Sequence, residues 1–233
     1  MTGPRVLVEA CVGSVDEALA AEQGGADRLE LCDNLDVGGT TPNHVLISEV
    51  KRRVRIPVAM MVRPRGGSFV FSAAELDTMR RDLDLVRSLG ADAIVIGLLD
   101  RTGRVDVETT RALVECAAGT PVTFHRAFDE ANDQPAALDA LIDARVSRVL
   151  TGGGPSTALA GADSLRALVE RADGRISIMA GGTVRAENVG EVVQRSGVRE
   201  VHARCERDPR RIRDIVATLA ALRDPVPSDC SHG

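Results

Sequence analysis

The chain has no Trp and no Tyr, and only four Phe among its 233 residues. Stacking of nucleic-acid bases on an aromatic platform is therefore not expected. A formal charge of −5 argues against a phosphate backbone as partner. Long apolar runs are also missing. A stretch such as 93–99 is far short of the roughly 18 residues that span a bilayer. The opening Met-Thr-Gly-Pro-Arg leads into a strand pattern with no room for a secretory segment. Five Cys at irregular spacing make no disulfide framework, so free thiols in a reducing, cytoplasmic setting are expected.

What the chain does have is a core of aliphatic residues and Ala, arranged in a strict alternation. Strand patterns are predicted at 5–10, 27–31, 58–62, 93–96, 122–124, 148–150, 176–179 and 199–202. Helix patterns lie between them at 15–23, 42–53, 73–89, 107–118, 135–144, 159–171, 185–195 and 209–222. Ser14 with Glu17 and Ser72 with Glu75 read as capping boxes. Thr41-Pro42 and Asp208-Pro209 read as a cap followed by Pro at the first helical position. Even strands open on similar phrases at positions 27, 92, 147 and 199, so a βαβα unit recurs every 52 to 65 residues. Eight βα units with a twofold sub-period predict a single α/β domain over 1–222, a (β/α)8 TIM-type barrel. An open doubly wound sheet is the alternative, disfavoured by the absence of a Gly-x-Gly-x-x-Gly turn. Residues 223–233 read as a disordered tail.

In a barrel of this kind the chemistry sits at the C-terminal strand ends. The first strand is read as ending Glu9-Ala-Cys11 and the second as Glu30-Leu-Cys32. Residues two apart share a face, so each strand aims a carboxylate and a thiol the same way. Strand 3 ends Arg63-Pro-Arg65, strand 5 gives His125 and strand 8 gives His202 and Cys205. Strand 5 continues into a polar cluster of His125, Arg126 and Asp129, flanked by Phe124 and Phe128. The glycine runs after strands 6 and 7, Thr151-Gly152-Gly153-Gly154 and Gly181-Gly182, could offer backbone N–H groups to an anion. Arg63, read as lying between Glu30 and Asp100, is either a clamp for a carboxylate or phosphate or a structural ion-pair partner. Cys116 is expected to pack inside a helix face.

The phrases Gly-Ala-Asp-Arg-Leu-Glu-Leu-Cys at 25–32, Arg-Pro-Arg-Gly-Gly at 63–67 and Phe-His-Arg-Ala-Phe-Asp at 124–129 follow one another in order. So do Gly-Gly-Thr-Thr-Pro at 38–42, Arg-Val-Leu-Thr at 148–151 and Met-Ala-Gly-Gly at 179–182. Together they resemble the CutC family, named for copper homeostasis, over roughly residues 6–204. The resemblance implies a cytoplasmic barrel, a homo-oligomer, and Cu(I) bound by Cys11 and Cys32. The family pattern has a long segment after strand 8, whereas here His202-Ala-Arg-Cys205 runs almost directly to Pro209.

Two functions follow. Thiolates suit Cu(I), and two thiols on adjacent strands start roughly 5 Å apart at the backbone. The wider set of Glu9, Glu30, Arg63, His125 and His202, with Arg65, Thr151, Gly152, Gly153, Gly181 and Gly182 as ligand-holding groups, suits a lyase, isomerase or hydrolase acting on a small anionic metabolite. A copper carrier needs few of those groups.

Overall fold

The computed structural model describes residues 5–154, 157–206 and 208–222. Eight parallel strands close on themselves in chain order. They are β1 (Leu7–Val12), β2 (Arg28–Leu31), β3 (Val58–Met61), β4 (Ala93–Ile96), β5 (Val122–Phe124), β6 (Arg148–Thr151), β7 (Ser177–Ala180) and β8 (Glu200–Arg204). Helices follow each in turn: α1 (Val15–Gln23), α2 (His44–Arg53), α3 (Ala73–Ser88), α4 (Val107–Cys116), α5 (Gln134–Asp143), α6 (Ala162–Ala172), α7 (Ala186–Ser196) and α8 (Pro209–Ala221). β1 pairs with both β2 and β8, which completes the (β/α)8 barrel. The expected tail, with Cys230 and His232, lies outside the described residues.

β4, β5 and α1 fall where the sequence places them. β1 does not: it runs from Leu7 to Val12 rather than from Arg5 to Ala10. The cause lies in the turn that follows. Ser14 Oγ accepts from Glu17 N, and Glu17 Oε2 accepts from Gly13 N at 2.6 Å. That turn is tight enough for the strand to continue to Val12. Glu9 therefore sits inside the strand and not at its tip. Because Glu17 turns to Gly13, a reciprocal box forms only at Ser72 and Glu75 of these two sites. α2 also starts later than expected. Asn43 caps it, and the Thr41 hydroxyl bonds Asp82 at 2.9 Å instead.

Strand residues alternate between two environments. Outward residues such as Leu29, Leu31, Met60, Ile94, Ile96 and Phe124 pack under the helices in one large core. Phe124 and Phe128 are fully buried there and do not face the barrel interior. The inward apolar residues are few: Cys11, Cys32, Ala59, Met61, Ala93 and Val95 form their own small cluster. Most remaining inward positions are polar or charged. That is unusual for a barrel core, which branched aliphatic side chains ordinarily fill.

Candidate functional site

The lower interior is a network of ion pairs. Glu200, only 7% exposed, accepts from Arg28 Nη2 at 2.7 Å, Arg148 Nε at 2.5 Å and Ser177 Oγ at 2.6 Å. Arg28 Nε also pairs with Glu9 Oε2. Burial works against ionising Glu200, but Arg148 and then Arg28 outweigh it and hold the carboxyl below its ordinary range. Arg28 behaves in mirror image, pulled down by burial and raised overall by Glu9. The sequence reading passed over Arg28, Arg148 and Glu200, although two of them have the same strand parity as a residue it did select: Arg28 with Glu30, Glu200 with His202.

Above this floor lies a cavity of about 890 Å³. Cys11, Glu30, Arg63, His125 and His202 all line it. Glu30 Oε2 is 3.0 Å from His202 Nε2, and Glu9 Oε1 is 4.0 Å from the same nitrogen. Burial lowers the His202 pKa, but the Glu30 carboxylate outweighs it and holds the ring well above the ordinary histidine value. Burial raises Glu30 in turn, and His202 outweighs that, so its carboxyl is lowered. Cys11, Glu30 and Cys32 bring one potential metal-ligating atom each within 4.8 Å of one another, and all three residues are buried. Hydrogen bonding with Cys11, then burial, then Glu30 push the Cys32 thiol well above its usual value.

Arg63 and His125 line the same cavity from the ends of β3 and β5. Arg63 is 4% exposed; its Nη1 donates to the carbonyls of Val37, Gly38 and Gly39 and its Nη2 to Gly67 at 2.8 Å. Among the described residues it makes no ion pair, so the expected bridge to Glu30 is not formed; Glu30 has taken His202. Asp100 does not face Arg63 either, since its carboxylate closes its own turn on Thr102 and Arg104. The Arg63 guanidinium lies 4.7 Å over the Phe69 ring, which packs 5.1 Å from His125. His125 Nδ1 accepts from Ala127 N at 3.1 Å. Burial, then Arg63, push the His125 pKa down to about 3. The ring is thus neutral, and its proton is on Nε2.

Five buried side-chain polar atoms lack a hydrogen-bond partner among the described residues. Four of them are inside the barrel: Glu9 Oε1, Glu30 Oε1, Arg63 Nε and His125 Nε2. Buried polar groups are ordinarily satisfied, and each exception calls for a reason.

The glycine loops contribute less than their sequence promised. The Asp129 carboxylate occupies the first one, accepting from Thr151 Oγ1 and from Gly152 N at 3.1 Å. Gly153 N donates to Thr151 Oγ1, and Gly181 N to the Thr151 carbonyl, both at 2.9 Å. Those N–H groups are engaged within the protein; Gly182 does line the cavity. Arg65 is drawn away from it, bound to Glu75 at 2.6 Å and stacked on Phe71. Cys205 is buried in the outer core, apart from the thiol cluster. Cys116 is exposed rather than packed.

The two cavity histidines act on opposite limbs of the pH–stability curve. The folded pKa of His202 is raised, so its stabilisation is present below about 6.5 and is lost as pH climbs through the folded value. The folded pKa of His125 is depressed, so its contribution is present above about 6.5 and is lost as pH falls toward 3. Urea midpoints measured across pH should therefore show His202→Gln flattening the alkaline limb and His125→Asn flattening the acid limb. Parallel curves for His202→Gln and the unsubstituted chain would mean that the Glu30–His202 pair does not form.

Comparison with known proteins agrees with the geometry. The CutC family profile matches residues 6–206. The chain is 45% identical over 204 residues to a copper homeostasis protein cutC homolog of Homo sapiens, covering 87% of this chain and 75% of that protein. It is 45% identical over 197 residues to a CutC family protein of Chromobacterium violaceum, covering 84% and 80%. A CutC crystal structure from Streptococcus agalactiae superposes with a TM-score of 0.81 at 36% identity, covering 85% of this chain and 98% of that one. A Pyrococcus furiosus thiamine phosphate pyrophosphorylase, at 13% identity and a TM-score of 0.66, shares the fold alone.

Proposed function

The chain belongs to the CutC family, and from that premise we propose that it is a cytoplasmic copper-homeostasis protein that binds Cu(I) through Cys11 and Cys32. The observation that carries this reading is the buried Cys11–Glu30–Cys32 cluster, with its ligating atoms within 4.8 Å of one another. Thiolate sulfur is the ligand type Cu(I) selects, and two sulfurs suffice for a low-coordinate soft ion. The carboxylate is a hard ligand and has another use. Metal-binding thiols must be deprotonated, and Glu30 Oε2 lies 3.7 Å from the Cys32 sulfur. It can relay a thiol proton to solvent as the metal arrives, its own carboxyl being held below its ordinary range. The copper relatives and the cluster support the same assignment independently: the first is a matter of names, the second of ligand chemistry.

Titration of the reduced protein with Cu(I) against a competing chelator tests the reading. We expect one tight copper per chain and proton release that rises with copper bound, because the Cys32 thiol is held well above its usual pKa and must lose its proton to bind. No stoichiometric copper, or copper bound without proton release, overturns it.

A further inference from the structure

The copper reading leaves part of the cavity wall idle. There Arg63 is a buried cation that makes no ion pair among the described residues, which is costly to maintain. Arg63 is not simply spent on folding. Its Nη atoms tie down the Val37–Gly39 and Gly67 loops, which fixes the guanidinium plane, yet the Nε–H is buried without an acceptor. Two rim arginines differ in this respect: Arg126 is paired with Asp129 and Arg211 with Glu206, each at 2.7 Å. His125 adds a second donor. Its Nδ1 is committed to Ala127 N, so the neutral ring of this cavity-lining residue keeps its Nε2–H buried without an acceptor among the described residues. The ring cannot swing away. It lies so close to Gly97 that a Cβ there would stand 2.2 Å from His125 Cε1, and Phe69 covers it 5.1 Å from its centre. Two rigid, dry N–H donors, one of them on a permanent cation, with no acceptor among the described residues form a receptor for a negatively charged oxygen.

We propose that this wall of the barrel is a binding site for the oxoanion group of a small molecule, a carboxylate or a phosphate, held by the Nε–H of Arg63 and the Nε2–H of His125. The position differs from the glycine loops after β6 and β7, where Asp129 already fills one anion position. The rest of the ligand lies in the 890 Å³ cavity, beside Glu30 and His202. A lone copper ion needs neither that volume nor two anion donors.

The test uses the full chain, reduced and copper-free, with inorganic phosphate and acetate as separate probes. Two-dimensional 1H–15N spectra report the His125 Nε2–H directly, and calorimetry reports binding. At least one probe should bind one per chain and shift that resonance; which one does so distinguishes phosphate from carboxylate. His125→Asn keeps an acceptor for Ala127 N but withdraws the Nε2 donor. It should weaken the binding probe roughly ten- to hundredfold while the circular dichroism spectrum is unchanged. Arg63→Lys keeps the charge, loses the fixed fork and should weaken it as well. If that variant fails to fold because its loops are released, the His125→Asn comparison decides alone. Neither probe shifting the His125 resonance at any concentration up to saturation of the solution overturns the proposal, as does binding of equal strength to His125→Asn.

Discussion

Glu200→Ala should destabilise the fold by about 3–5 kcal/mol, the range for removing one partner of a buried ion pair. The carboxylate is the shared acceptor of Arg28, Arg148 and Ser177. Without it Arg148 keeps Thr123 Oγ1, at 3.3 Å, and Arg28 keeps Glu9. Arg148 is then left without a carboxylate partner among the described residues, in the barrel interior. Glu200→Gln retains an oxygen acceptor but loses the charge, and should lie between alanine and the native chain. Replacing Arg28, Arg148 and Glu200 together by Met, Met and Leu should recover most of the loss, because an all-apolar floor has no orphaned charge. Urea unfolding with a common m-value measures all three. A loss below about 1 kcal/mol for Glu200→Ala would show that water reaches the floor and screens the arginines.

Cys11→Ser with Cys32→Ser should abolish stoichiometric Cu(I) binding under reducing conditions. A hydroxyl is close to isosteric with a thiol, but it is a hard ligand and does not deprotonate near neutral pH. Each single variant leaves one sulfur beside Glu30 and should compete poorly with a chelator that the native chain outcompetes. The Cys205→Ser variant is the internal control: that thiol is buried in the outer core and should leave copper affinity unchanged. Undiminished affinity in the double variant, or a loss in Cys205→Ser, would place the metal elsewhere. Oxoanion binding at His125 should survive in the double variant, since neither of its donors is a thiol.

The barrel was legible because its signal is a long-range period. Four recurrences of one βαβα phrase leave little room for another parallel architecture, and local errors of two residues in β1 do not disturb it. The thiol cluster was legible because Glu9-Ala-Cys11 and Glu30-Leu-Cys32 repeat the same face on neighbouring strands. The ion-pair floor was not, although its parity was visible: Arg28, Glu30 and Cys32 alternate, as do Glu200, His202 and Arg204. Which inward charges meet depends on the stagger of strands around a closed barrel, and that quantity has no trace in any single segment. Asp129 shows the other limit. A glycine run announces a possible anion position, but only the fold reveals that a carboxylate 22 residues earlier in the chain already occupies it. Phe69, from the β3–α3 loop, was invisible for the same reason.

Glu9, Arg28, Arg148 and Glu200 cross the base of the barrel, and the cavity above them is lined by Cys11, Arg63 and His125 alike. Metal at the proposed thiol site and an anion at the proposed oxoanion site would share that cavity, so their traffic would be coupled even where their affinities are not. A bulky occupant at the mouth would lengthen the residence time of a copper ion already inside without touching it, and a copper donor would have to deliver its cargo while that occupant is away.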